Sequence, residues 1–144
     1  MEKAAIEDII RKALVCRLGL CDGDRPYVVP LSFGYRDGVL YFHGGAKGTK
    51  ARILRKSSNV CFEMDVDVAL SPSDEPCRCG LKYRSVIGQG KAYFIDDPDG
   101  KRDALNVIMG QYVEGTYEFS DEAVRRTTVF RVEIESMTGK QRGY

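Results

Sequence analysis

The chain has 144 residues, with 22 lysines and arginines against 21 aspartates and glutamates and a formal net charge of +1. That balance excludes a global field drawing the protein onto nucleic acid, so any anion it holds must be held by a local group of donors. No apolar run approaches the roughly 20 residues that cross a bilayer, and MEKAAIEDIIRKAL at the start lacks a signal-peptide core. The expectation is a cytoplasmic protein with no membrane or nucleic-acid partner. One domain spanning residues 1–144 suits the length, and folding at this size buries about 70% of the unfolded surface, enough for a core without staples.

In chain order, Lys3 to Leu14 places Ile6, Ile9, Ile10, Ala13 and Leu14 at the spacing of an amphipathic helix. Val15 to Cys21 turns β-like and ends at the turn signal Asp22-Gly23-Asp24. Arg25 to Tyr35 reads as a strand. Its Pro26 and Pro30 mark it as an edge or bulged strand, because each removes a ladder donor. Asp37-Gly38 is a hairpin pair, and Val39 to His43 is the return strand. The spacing then predicts a helix over Lys50 to Lys56 and a strand over Val60 to Val66. There Val60, Phe62, Met64 and Val66 alternate with Cys61, Glu63 and Asp65. Ala69 to Gly80 reads as a loop, and Lys82 to Ile95 as a long strand bent at Gly88 and Gly90. Helices over Pro98 to Tyr112 and Ser120 to Arg125 follow, then a last strand over Thr128 to Ser136. Consecutive antiparallel strands disfavour a parallel doubly wound sheet. Six or so strands close most easily as a small mainly β barrel with helices outside.

Few side chains announce chemistry. The segment GGAKGTK (Gly44 to Lys50) departs from the nucleotide phosphate loop at Thr49 and Ala51. Its glycines still allow backbone N–H groups to approach an anion at a helix start, with Lys47, Lys50 and Arg52 as nearby charges. A solvated lysine-bearing loop is the plain alternative. His43 is the only histidine, so a zinc site would need cysteines. Cys77-Arg78-Cys79 has one residue between its thiols where zinc sites have two to four. No metal is expected, and no catalytic residue stands out. Arg84 suits a phosphate or, equally, a carboxylate on a neighbouring strand. Five cysteines, an odd number, argue against a disulfide framework, and Cys16 and Cys61 read as small apolar residues within strands.

Four separated blocks, RPYVVPLSFGY, DGVLYFH, VCFEMDVD and YRSVIGQGKAYFIDD, resemble in order and spacing the Nim-type proteins. These are the 5-nitroimidazole-resistance-related branch of the pyridoxamine 5′-phosphate oxidase-like flavoproteins. The resemblance runs from about Val15 to Val132. It implies a split β-barrel, and a homodimer with FMN at the interface. It also implies that Val29, Pro30, Leu31, Ser32 and Phe33 run beside the flavin ring. The stretch holding His43, Gly44, Lys47 and Lys50 would approach the flavin and its phosphate. Arg84, Ser85 and Val86 would contribute nearby, across the dimer. Many relatives carry a serine after the histidine, whereas Gly44 and Gly45 stand here. The function implied is an FMN-binding oxidoreductase acting on a small (nitro)aromatic substrate. The alternatives are a non-catalytic flavin-binding or storage module, and the same barrel holding haem or a deazaflavin.

Overall fold

The computed structural model describes residues 1–144. The elements are α1 (Lys3–Lys12), β1 (Cys16–Asp22), β2 (Arg25–Leu31), β3 (Gly34–Arg36), β4 (Val39–Gly44), α2 (Thr49–Lys56), β5 (Asn59–Ser71), β6 (Gly80–Ile95), α3 (Pro98–Gly110), α4 (Asp121–Arg126) and β7 (Thr128–Arg142). All strands belong to one antiparallel sheet in the order β2-β1-β5-β6-β7-β4-β3. The end strands β2 and β3 do not pair with each other, so the barrel is open. This is the split antiparallel barrel that the resemblance implies, with the peripheral helices that the pattern predicts, open where the pattern favours closure and built from seven strands.

β2 pairs with β1 alone, Arg17 opposite Pro30 and Cys21 opposite Pro26, as its prolines foretell. A proline cannot donate to the ladder, so positions 26 and 30 turn their missing N–H toward the open edge. Val28, midway between them, points the same way. That edge therefore offers the carbonyls of Pro26, Val28 and Pro30 but only the N–H of Val28.

The strand expected over Arg25–Tyr35 is two strands. Arg25–Leu31 pairs with β1, and only Gly34–Arg36 returns against β4. The break is at Ser32–Phe33. There Phe33 turns its ring into the core and donates its N–H to Tyr112 Oη at 3.0 Å. Gly34 lies so close to α3 that a Cβ would come within 2.6 Å of the backbone of Val107 and Ile108. Contact with α3 thus carries the chain from one end of the sheet to the other. The hairpin closes at Asp37 (φ 50°) and Gly38 (φ 79°), the left-handed pair of a type I′ turn.

β5 alternates as read, but it continues to Ser71 through a register shift between Val66 and Ala69, where Asp67 has φ 55°. The loop expected over Ala69–Gly80 shrinks to Pro72–Cys79. β1 covers β5 only from Val60 to Glu63, so the distal β5–β6 hairpin stands out as an arm. It exposes Val68 (51%), Leu70 (77%), Leu81 (46%) and Ile87 (56%). β6 shifts register against β7 between Gln89 and Gly90, as its glycines suggest. β7 runs on to Arg142 because the arm supplies it with a partner.

The main core gathers 19 buried residues from α1, α2 and the inner faces of the strands, with Phe42 stacked on Phe130 at 5.0 Å. α1 buries Ile6, Ile9 and Ile10, and its open C-terminus is satisfied from a distance. The Gln111 amide donates to the carbonyls of Ile10 (2.9 Å), Arg11 (3.2 Å) and Ala13 (3.1 Å). A second cluster seats α3 (Ala104, Leu105, Ile108) on Ile95 and Val129. α3 begins at an Asp97 cap that accepts the Gly100 N–H at 2.7 Å. No helix is long and apolar enough to cross a membrane.

Candidate functional site

The barrel's split leaves one place where backbone and charge converge. β3 covers only Val39 to Tyr41 of β4, so Phe42, His43 and Gly44 have no neighbour on that side. The chain then passes through Gly45–Gly48 into α2, whose cap residue Gly48 has no side chain to satisfy the first N–H groups. Those groups remain free to meet an anion, and the helix start favours negative charge. Arg55 Nη1 donates to the carbonyl of Ala46 at 3.2 Å and fixes the loop from behind. Arg52, a candidate charge for the same anion, is instead spent on Asp22, Nη2 to Oδ2 at 3.0 Å. That pair holds Asp22 below the ordinary carboxylate range and ties α2 to the β1–β2 turn.

Lys50 lies on the first turn of α2 and folds back over Gly44. A Cβ at position 44 would meet Lys50 Nζ at 2.5 Å. His43 is next in the chain, opposite Val129 on β7. His43 is exposed overall, yet partial desolvation of its ring lowers its pKa below 6.5 and the charge of Lys50 lowers it further, which favours the uncharged imidazole at neutral pH. His43, Gly44 and Lys50 are therefore brought together as the sequence suggested. Lys47 is exposed on the loop between them.

On the other side of the split, Tyr27, Val29 and Leu31 lean on the core, while Val28, Pro30 and Ser32 face outward. Phe33 has both its ring and its N–H engaged, so it can offer a ligand only its carbonyl.

Arg84, Ser85 and Val86 form a separate group. Val86 is wholly inside the core. Arg84 takes the plain alternative of a neighbouring carboxylate, Nη1 to Asp67 Oδ2 at 2.6 Å, and stacks over the Tyr144 ring at 4.2 Å. The Tyr144 hydroxyl donates to the Asp67 carbonyl at 2.6 Å, and Lys12 approaches the same carboxylate at 3.5 Å. Arg84 and Lys12 border a groove of about 400 Å³ beside α1, together with Ile9, Val66 and Gln141. His43 is level with Ile95 across β7, and Arg84 lies eleven residues further back along β6. At about 3.3 Å per residue this is about 35 Å. One protomer does not bring Arg84 to His43.

Sequence reading missed Tyr112, Gln111 and Arg55, each of which acts through a backbone group distant in sequence.

An open antiparallel barrel with a basic, uncapped helix start at its split defines a split-barrel protein. The family described as pyridoxamine 5′-phosphate oxidase matches residues 2–141, and the chain belongs to that family. A candidate 5-nitroimidazole antibiotic resistance protein from Bacteroides thetaiotaomicron is similar at 37% identity, with 96% of this chain and 82% of that one covered and a TM-score of 0.86. The fold is shared with a flavocytochrome from Azotobacter vinelandii, at 19% identity, 99% and 68% coverage and a TM-score of 0.87. It is shared also with an FAD- and haem-binding protein from Mycobacterium smegmatis, at 16% identity, 99% and 72% coverage and a TM-score of 0.90. Among curated proteins none matches. The resemblance seen in the four sequence blocks is borne out.

Proposed function

We propose that the protein binds FMN in two clefts of a homodimer and serves as an oxidoreductase for small aromatic substrates, nitroaromatics first among them. The observation that carries this reading is the meeting of Lys50, Gly44 and the uncapped start of α2 at the free end of β4. The likeness to the nitroimidazole-resistance protein supports the substrate class.

The residues fit the group. The free N–H groups that open α2, with Lys47 and Lys50, suit a phosphate dianion. Gly44 leaves room for the Lys50 ammonium beside it. The β2 edge, rich in carbonyls and poor in N–H, suits a flat ring that presents a donor. FMN when bound would supply the electron transfer to an aromatic substrate. The protein's part is to hold the phosphate, align the ring along Val29–Ser32 and leave one face open to substrate. His43 adds a neutral imidazole at the strand end, able to donate or accept one hydrogen bond.

Arg84 and Ser85 reach such a ligand only from a second copy, given the distance along β6. The exposed Val68, Leu70, Leu81 and Ile87 of the arm give that copy an apolar surface to cover. FMN titration, followed by NAD(P)H-dependent reduction of a nitroimidazole, tests the proposal. Protein that neither purifies with nor binds FMN overturns it. Binding with no turnover above free flavin would assign a storage or carrier role instead.

One observation favours a second reading, the same barrel holding haem. His43 is exposed at the end of β4 that β3 leaves unpaired, where its imidazole can reach a ligand's iron. A Soret band on haem addition that is lost in His43→Ala would support it.

A further inference from the structure

At the tip of the arm, the loop Pro72–Cys79 carries two thiols two residues apart. Both are exposed and both are reduced. The loop is small and internally tied. Cys79 Sγ accepts the Ser73 N–H at 3.3 Å and donates to the Ser73 carbonyl at 3.0 Å. The Ser73 hydroxyl accepts the Glu75 N–H at 3.2 Å, and Arg78 pairs with Glu75 at 2.8 Å. Cys79 is thus the clasp that closes the loop, whereas Cys77, on the single 3-10 turn Pro76–Arg78, makes no hydrogen bond.

We propose that Cys77 and Cys79 form a reversible thiol–disulfide site whose oxidation opens this clasp. The 3-10 turn places their Cα atoms about 5 Å apart, inside the roughly 4.4–6.8 Å range that a disulfide spans. In that turn the two Cβ directions diverge, so the bond requires Cys79 to leave Ser73 and the turn to adjust. A disulfide in so small a ring is strained and exposed, the combination found in labile, exchange-active bonds. The other thiols do not compete. Burial pushes the Cys16 thiol up to about 12, which suppresses its thiolate. Cys21 and Cys61 stand on adjacent strands, but Gly19, not Cys21, is opposite Cys61. Such diagonal neighbours lie beyond disulfide reach.

The chemistry balances with a low-molecular-weight disulfide as oxidant. Cys77, the unencumbered thiol, loses its proton and attacks one sulfur of the oxidant. The oxidant's S–S bond breaks, one small thiolate leaves and takes up that proton, and a mixed disulfide remains on Cys77. Cys79 then loses its proton, attacks the Cys77 sulfur and expels the second small thiolate, which is protonated in turn. Two protein thiols are oxidised by two electrons, and one small disulfide is reduced to two thiols.

The test uses the full-length reduced protein with oxidised glutathione, read by intact mass and by mapping of thiol-blocked peptides. The expected product has lost two hydrogens in the peptide holding Cys77 and Cys79, and dithiothreitol restores it. In Cys79→Ser the same treatment traps glutathione on Cys77, and in Cys77→Ser the peptide shows no loss of two hydrogens. The Ser73 amide resonance is expected to move on oxidation, since it loses its sulfur acceptor. A stable glutathione adduct on Cys77 of the unaltered protein, a bridge to Cys21 or Cys61, or a loop that stays reduced would each overturn the proposal.

Discussion

The Lys50 ammonium fills the space that a side chain at position 44 would take, with only 2.5 Å between Nζ and an ideal Cβ on Gly44. Where the resemblance implies a serine at this position, the ammonium of the next helix stands instead. A hydroxyl is exchanged for a charge. Gly44→Ser should drive Lys50 out of this position and raise the FMN dissociation constant about tenfold, or ~1.4 kcal/mol. Gly45→Ser, at a position with nothing within 4 Å, should leave it unchanged. Fluorescence titration of both variants checks the pair.

The single histidine makes the electrostatics of this corner directly readable. Burial, then Lys50, depresses the His43 pKa below 6.5, so the folded protein binds this proton less readily than the unfolded chain does. Its contribution to stability is therefore complete above pH 6.5. It is lost as pH falls from there toward the folded value. A proton NMR titration should show one imidazole with a midpoint below 6.5, and Lys50→Ala should raise that midpoint only partway, because burial remains. A midpoint that does not move in the variant would remove Lys50 from the account.

Tyr112 holds the junction between β2 and β3. Its hydroxyl accepts the Phe33 N–H at 3.0 Å and donates to the Leu14 carbonyl at 2.9 Å. Tyr112→Phe keeps the ring against Phe33 and leaves a partly buried N–H without its acceptor, a loss of about 1–3 kcal/mol. Urea unfolding should register it, and an unchanged midpoint would contradict the role.

Thiol reactivity should divide sharply. With Cys16 buried and Cys21, Cys61, Cys77 and Cys79 exposed, native protein should react with a thiol reagent at four sites, and a fifth should appear only on unfolding. Five equivalents in the native state would mean that the β1 face of the core is open.

What could be read without coordinates was what neighbours in sequence decide. Pro26 and Pro30 announced an edge, Asp37-Gly38 a hairpin, and the alternation from Val60 to Val66 a strand with one wet face. The division of Arg25–Tyr35 into two strands was not legible, because it depends on Tyr112, 79 residues away. Nor was the full length of β7, whose end exists only because the β6 arm pairs with it. At the site, His43, Gly44 and Lys50 lie within eight residues of one another and came together as read. Arg52 and Arg84 look as available in sequence as Lys50 does. Only the fold reveals that Asp22 takes both Nη atoms of Arg52, whereas Asp67 takes only Nη1 of Arg84.

The proposal's centre is that each flavin site draws on two copies of the chain, Lys50 from one and Arg84 from the other. Mixing Lys50→Ala with Arg84→Ala protein under conditions that exchange subunits tests this most directly. Each variant alone should bind FMN weakly, and the mixture should recover a fraction of tight sites, since every mixed dimer rebuilds one intact cleft. Binding by the mixture equal to the average of the two variants would contradict it.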